Sequence, residues 1–104
     1  MIKLSVMYAF KPGARFDHAY YRDKHMPMVA ARMGTHCVKY AIDRGLAGNT
    51  PDAPPAFVAV GHVYSESVES FNAGFLPHMK EILADIPNYT DIAPQTQISE
   101  VVVD

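Results

Sequence analysis

The order of strand and helix patterns constrains the fold of this chain more than any single motif does. Four segments have the alternating or continuously apolar pattern of strands: residues 2–8, 36–44, 56–64 and 95–103. Two segments between them have apolar residues at helical spacing: about 15–33 and about 65–86. This β-α-β-β-α-β order predicts an α+β, ferredoxin-like sandwich. In that fold two helices cover one face of a four-stranded antiparallel sheet.

The second predicted helix begins at a serine cap, Ser65 or Ser67, and ends near Ile86. Its predicted buried stripe consists of seven residues: Val68, Phe71, Phe75, Met79, Ile82, Leu83 and Ile86. Pro77 is expected to kink it. The glycine- and proline-rich segment Gly45–Pro55 is predicted to be a long loop between the second and third strands.

Size and composition indicate one globular domain, residues 1–104. Of these residues 49% are hydrophobic, which argues against disorder. The formal net charge is −2, and the basic residues of the first helix alternate with Asp17 and Asp23. No basic face for nucleic acid is therefore predicted.

Several features indicate a cytoplasmic protein. Cys37 is the only cysteine, so no internal disulfide can form, and it is expected to be a small buried side chain rather than a nucleophile. The chain opens on a strand pattern rather than a signal peptide. No apolar run approaches the ~20 residues that cross a bilayer, so no membrane association is expected.

The third strand and the run Val101–Val103 are apolar on both sides. A sheet with helices on only one face would leave such residues exposed as a large apolar patch. We therefore expect the open face of the sheet to pack against a second copy in a two-fold homodimer.

Pro27 interrupts the first helix and marks a candidate site. Proline has no N–H and its ring crowds the carbonyl of Asp23, so the helix is predicted to break there, with Met26 outside helical angles. His25 would then lie just before a new helical segment, whose positive end favours a neutral imidazole. Such a histidine, with Tyr21 one turn earlier, can exchange a proton near pH 7.

The sequence of the first predicted helix resembles that of a known protein family. Phe16, Tyr20-Tyr21, His25 and Pro27 match the Phe…Tyr-Tyr…His-x-Pro signature of the EthD family, named for a protein encoded with an ethyl tert-butyl ether degradation system. The similarity extends over the whole chain, including the loop at residues 45–48 and the tail at residues 86–101. The resemblance implies a dimeric α+β barrel: a cytoplasmic homodimer with a pocket between helices and sheet in each subunit.

That superfamily includes cofactor-independent monooxygenases of aromatic polyketides, muconolactone isomerases, haem-degrading enzymes, and fungal decarboxylases or dehydratases. It also includes proteins without demonstrated chemistry, so the fold does not decide the function. Two functions stay open. One is a cofactor-independent enzyme, of oxygenase, isomerase or dehydratase type, acting on a small apolar oxygenated or aromatic compound. The other is an accessory protein that binds a pathway intermediate for a partner oxygenase.

His25 and Tyr21 are the candidate catalytic residues. The alternative role of His25 is to satisfy carbonyls freed by the proline, and that of Tyr21 is packing. Seven further residues are candidates for substrate binding: Tyr8, Tyr20, His62, Tyr64, Phe71, Phe75 and His78. Each has an alternative role in the core or on the surface. No histidine pair has the i, i+4 spacing of helix-borne zinc ligands, and no nucleotide motif appears, so neither metal nor cofactor is predicted.

Overall fold

The computed structural model describes residues 1–104 and confirms the ferredoxin-like α+β fold. Its four strands are β1 (Ile2–Ala9), β2 (Lys39–Arg44), β3 (Phe57–Ser65) and β4 (Gln95–Glu100). They form one antiparallel sheet in the order β2-β3-β1-β4, so the strands nearest the two chain ends are neighbours. No helix is both long enough and apolar enough to cross a bilayer.

The two faces of the sheet differ in chemistry. Leu4, Tyr8 and Val63 point toward the helices and belong to the buried core. On the opposite, open face Ser5 pairs with His62 across β1 and β3, and their side chains hydrogen-bond over 3.0 Å. His62 also bonds Asp43 of β2 over 2.9 Å. The centre of the open face is therefore partly polar, and the prediction of an apolar open face is wrong there.

The first helix is not broken at Pro27. It begins at His18, where the Asp17 side chain accepts a hydrogen bond from the N–H of Tyr20, and it continues to Met33. Instead of breaking, it widens into a π-helical turn over Tyr21–His25, and Met26 keeps helical angles. Pro27 has no N–H to donate to the preceding turn, and the wider π-helical turn accommodates this missing hydrogen bond. The predicted break is thus wrong.

The second helix has four parts: Val68–Phe75, a 3₁₀ turn Leu76–His78, Met79–Asp85 and a final 3₁₀ turn Ile86–Asn88. Ser67 is its N-cap. Phe71 and Ile82 are buried as predicted, but Val68, Met79 and Leu83 are exposed. The 3₁₀ turn at Pro77 advances by about 120° per residue rather than about 100°, so the apolar stripe does not stay on one face.

The predicted loop after the second strand is confirmed, whereas the predicted end of the last strand is wrong. Residues Gly45–Pro55 contain no helix or strand, as predicted. β4 ends at Glu100 rather than at Val103, because the chain turns away after the Val101 N–H bonds the Met1 carbonyl. Val102 and Val103 are 86% and 88% exposed. The apolar run at residues 101–103 therefore does not extend the sheet.

Candidate functional site

A small apolar cavity lies between the two helices and the sheet. Its volume is about 70 Å³, roughly twice the share of one water molecule in the liquid (~30 Å³). Tyr8, Tyr21, His25 and Thr96 are the lining residues whose side chains carry a polar atom, and the walls are almost entirely apolar. Leu83 and Thr96 line it and are exposed, so the cavity opens to the surface beside them. This space suits a compact ligand of a few non-hydrogen atoms.

Asp85 joins three side chains at one carboxylate. His25 Nδ1 donates to Asp85 Oδ2 over 2.9 Å, and the Tyr20 hydroxyl donates to Oδ1 over 2.7 Å. The Asn88 amide also donates to Oδ1 over 2.9 Å. A carboxylate that accepts these bonds fixes the His25 ring with its proton on Nδ1. Asp85 therefore defines the orientation of the candidate base.

The π-helical turn makes this arrangement possible. Tyr20 and His25 are five residues apart, and in a regular α-helix their side chains would point about 140° away from each other. A turn with i→i+5 hydrogen bonds, here from the Met26 N–H to the Tyr21 carbonyl, brings residues five apart to the same side. Both side chains can then reach Asp85. The turn before Pro27 thus has a direct consequence for the site.

The charges of the pair follow from its environment. Burial lowers the pKa of His25 below its usual value by more than the hydrogen bond and charge of Asp85 raise it. Partial burial raises the pKa of Asp85, but hydrogen bonds from Asn88, Tyr20 and His25 outweigh it and leave the pKa below its usual value. At neutral pH the pair therefore consists of a neutral imidazole and a carboxylate.

The second nitrogen of the His25 ring is available to a ligand. Nδ1 bonds Asp85, whereas Nε2 has no partner among the protein atoms. No fully buried side-chain nitrogen or oxygen lacks a hydrogen bond, so Nε2 borders open space, and the His25 side chain lines the cavity. With the proton on Nδ1, Nε2 carries a lone pair that can accept one. His25 therefore has the geometry of a general base.

Aromatic rings hold the histidine in place. The Tyr21 ring is stacked on His25, with centroids 5.5 Å apart and planes inclined by 14°, so Tyr21 supports the ring and Asp85 is its hydrogen-bond partner. The Tyr89 ring contacts His25 from another side, with ring centroids 4.6 Å apart. Phe16, the first residue of the helix signature, meets Tyr21 and Tyr89 edge-on. Such contacts restrict rotation of the imidazole.

Three buried phenols form a second polar cluster, which lies beside His25. The hydroxyls of Tyr8 and Tyr89 are 2.6 Å apart, and both side chains are fully buried. The Tyr21 hydroxyl lies close enough to Tyr8 that each affects the pKa of the other. Burial raises the pKa of all three phenols above its usual value, so they remain protonated.

Gly61 makes room for Tyr21. A side chain at Gly61 would collide with the Tyr21 hydroxyl, which lies directly against the backbone of β3. This glycine was not among the residues predicted for the site. A lone glycine inside a strand pattern is nevertheless a signal of close approach by another group.

Outside the cavity, Asp85 faces an open surface groove of about 330 Å³, lined also by Tyr20, Lys24 and Asn88. His25 does not reach this groove, and Asp85 does not reach the inner cavity. The His25–Asp85 hydrogen bond thus connects the interior space with the solvent side of the helices.

The structure brings some of the candidate residues together and separates others. Tyr8, Tyr21, His25 and Phe75 line the cavity, and Tyr20 reaches the site through Asp85. Phe71 stacks behind Phe75 without lining the cavity.

Three candidates lie elsewhere. His62 is bonded to Ser5 and Asp43 on the open face of the sheet, and Tyr64 lies on that face between the ammonium groups of Lys3 and Lys39. His78 ends the 3₁₀ turn of the second helix and does not line the cavity. Cys37 is half-buried rather than buried, and burial raises the pKa of its thiol, so it is not activated as a nucleophile. No three His, Cys, Asp or Glu side chains form a group suited to hold a metal ion.

Sequence reasoning missed Asp85 and Tyr89 as members of the site. Asp85 had a local signal, because a carboxylate at a helix C-terminus is opposed by the helix dipole and calls for a compensating partner. Tyr89 carried no comparable signal, because its bond to Tyr8 joins residues 81 positions apart.

Comparison with known proteins identifies relatives. The model of the EthD domain matches residues 14–93, and no functionally curated protein matches the chain. An EthD-like protein from Ralstonia eutropha JMP134 is similar in structure, with 58% identity, a TM-score of 0.95 and coverage of 99% of this chain and 93% of that one.

Two more distant structures share the fold. An ethyl tert-butyl ether degradation (EthD) family protein from Bacillus halodurans C-125 has 16% identity, a TM-score of 0.65 and coverage of 96% and 97%. Hydroxynitrile lyase from Passiflora edulis has 14% identity, a TM-score of 0.54 and coverage of 99% and 96%. The domain match over most of the chain and the Ralstonia relative together show that this protein belongs to the EthD family.

Proposed function

We propose that this protein is a cofactor-independent enzyme in which His25 acts as general base toward a small, largely apolar oxygenated compound bound in the cavity. The observation that carries the proposal is the His25–Asp85 hydrogen bond of 2.9 Å, which leaves Nε2 as a proton acceptor at the cavity wall. A histidine oriented by a carboxylate in this way is the common arrangement of a general base.

The proposed proton transfer needs only the ligand and the His25–Asp85 pair. His25 Nε2 accepts a proton from an O–H or C–H bond of the ligand, and the electron pair of that bond stays on the ligand. The imidazolium that forms is stabilised by the Asp85 carboxylate through Nδ1–H. Returning the proton to another position completes an isomerisation or assists a dehydration. Acid–base help of this kind contributes typically ~10²–10⁴-fold.

Chemistry of this type requires the cavity to exclude water, and its walls are almost entirely apolar. The fold is shared with a hydroxynitrile lyase, but at 14% identity the activity of that protein does not transfer to this chain. The proposal therefore depends on the site of this chain rather than on its relatives.

A direct experiment compares the wild type with His25→Gln and with His18→Gln, a control histidine outside the cavity. Turnover and binding are measured on a panel of small phenols, lactones, ketones and ether-derived alcohols. We expect His25→Gln to lower turnover by at least about 100-fold while binding is retained. Binding with no turnover in the wild type would instead favour the accessory role, in which the protein delivers an intermediate to a partner oxygenase.

The quaternary structure and location are part of the proposal. We infer a homodimer that buries the open face of the sheet, because Val60 and Met7 lie there beside the polar centre. The lone, half-buried Cys37 is compatible with the reducing cytoplasm. A role in ether degradation rests only on the family name.

A further inference from the structure

The polar atom that His25 offers to the cavity is a hydrogen-bond acceptor. The Nδ1–H of its ring donates to Asp85 over 2.9 Å, so the other nitrogen, Nε2, carries a lone pair and no proton. His25 lines the cavity, whereas Asp85 does not. A ligand that enters the cavity therefore meets a neutral acceptor at the His25 ring.

The other polar groups of the lining residues are used elsewhere. The Tyr8 hydroxyl is paired with that of Tyr89 over 2.6 Å, and the Tyr21 hydroxyl lies against the backbone of β3 at Gly61. Thr96 is exposed on β4, where the cavity opens to the surface. The central strands β1 and β3 use the backbone N–H groups of their lining residues within the sheet. A ligand oxygen inside the cavity therefore finds no side chain free to donate to it.

The cavity also lacks a charge that could hold an ion. No lysine, arginine, aspartate or glutamate lines it. A carboxylate, a phosphate or an ammonium group would be buried there without a counter-ion, which is costly in apolar surroundings. The lining therefore favours a ligand without a permanent charge.

From these observations we propose that the cavity selects a small, uncharged hydroxyl compound with an apolar remainder, whose O–H donates a hydrogen bond to His25 Nε2. This inference rests on the proposed general-base function and names its substrate class, because the proton that His25 takes then comes from oxygen. A ketone or ether of the same size brings an oxygen that can only accept. That oxygen would lose its hydrogen bonds to water and gain none in the cavity.

The proton transfer in this complex needs no further reagent. The O–H bond of the ligand breaks, its proton goes to His25 Nε2, and its electron pair stays on the oxygen. The oxyanion then lies beside an imidazolium, whose Nδ1–H is bonded to the Asp85 carboxylate. Return of the proton to oxygen reverses the step, and nothing is oxidised or reduced.

The test compares 2-butanol, butanone and propionate, which have the same number of non-hydrogen atoms and differ in their polar group. Their dissociation constants at neutral pH are measured by protein NMR titration with the wild type, His25→Phe and His18→Phe. The last is a matched control at a histidine that does not line the cavity. Phenylalanine keeps an aromatic ring between Tyr21 and Tyr89 but has no acceptor. The ligand series in the wild type keeps the test valid if His25→Phe folds poorly.

We expect the wild type and His18→Phe to bind 2-butanol roughly 10-fold more tightly than butanone, and propionate more weakly than either. His25→Phe should bind the alcohol and the ketone about equally. The hydroxyl site is overturned by a wild type that binds butanone or propionate as well as 2-butanol, or that binds none of them. An alcohol preference that His25→Phe retains overturns it as well.

The failure of this inference can be told apart from the failure of the proposed function by measuring turnover of the wild type and His25→Gln in parallel. If the alcohol preference is absent but turnover of another compound depends on His25, the hydroxyl site is overturned and the general-base function stands. If the alcohol preference depends on His25 but no compound is turned over, the hydroxyl site stands and the general-base function is contradicted.

Discussion

Asp85, at the C-terminal end of the second helix, accepts a hydrogen bond from Nδ1 of His25 on the first helix over 2.9 Å. The two residues are 60 positions apart, and the side chains of His25 and Asp85 are 6% and 18% exposed, respectively. This pair joins the two helices, with His25 lining the inner cavity and Asp85 lining the surface groove.

Replacing Asp85 by Asn tests this relationship. The amide keeps the shape but removes the charge, so we expect the pKa of His25, already below its usual value, to fall further. The loss of a charge-assisted bond should lower the free energy of unfolding by about 1.5–3 kcal/mol. Imidazole NMR titration and urea unfolding measure the two effects.

A matched control is Glu81→Gln on the same helix, where the partner is the exposed Arg32. Exposed pairs of this kind contribute little to stability, and His25 is not affected. Equal effects of the two substitutions on the His25 pKa would show that Asp85 has no special role.

Gly61→Ala should disturb the site from the sheet side. The added methyl group would collide with the Tyr21 hydroxyl, so Tyr21 must move and its stacking on His25 must change. We expect a loss of about 1–3 kcal/mol in the free energy of unfolding. In the double variant Gly61→Ala/Tyr21→Phe the hydroxyl is absent, and part of the loss should be recovered. Additive effects in this double-mutant cycle would refute the contact.

The Tyr8–Tyr89 bond should show strong coupling in a second cycle. Tyr8→Phe or Tyr89→Phe alone leaves one buried hydroxyl without a partner, which costs about 1–3 kcal/mol each. Removing both hydroxyls should cost clearly less than the sum of the single variants. Denaturant unfolding of the four proteins gives the coupling energy, and a value near zero would mean that the bond is not formed.

Acid should destabilise the protein through His25. Its pKa is lower in the folded than in the unfolded chain, so the unfolded state binds more protons as the pH falls below about 6.5. The stabilising contribution is complete above that pH and is lost as the pH falls through the folded pKa. Unfolding measured between pH 7 and pH 5 should show this slope in the wild type, and His25→Gln should reduce it. An unchanged slope in the variant would assign the effect to other groups.

The proposed homodimer has a simple check. Light scattering during size-exclusion chromatography at micromolar concentration should give twice the chain mass of 11.5 kDa. A species of single-chain mass under these conditions would contradict the dimer.

The sequence by itself determined the order of the elements, the serine cap of the second helix and His25, on which the proposed chemistry depends. These features are local: the period of apolar residues, the serine before the second helix and the proline after His25 can all be read within a few positions. The EthD family, which the comparisons show, is also indicated by the signature in the first helix: Phe16, Tyr20-Tyr21, His25 and Pro27.

Only the tertiary structure decided what surrounds His25. The sequence predicted a break at Pro27, but the helix keeps helical angles there and forms a π turn, which directs Tyr20 and His25 toward one carboxylate. The partner of His25, the bond between Tyr8 and Tyr89 and the open-face position of His62 all depend on contacts between residues far apart in the chain. Such contacts follow from the register of the strands and the rotation of the helices, which local patterns do not encode.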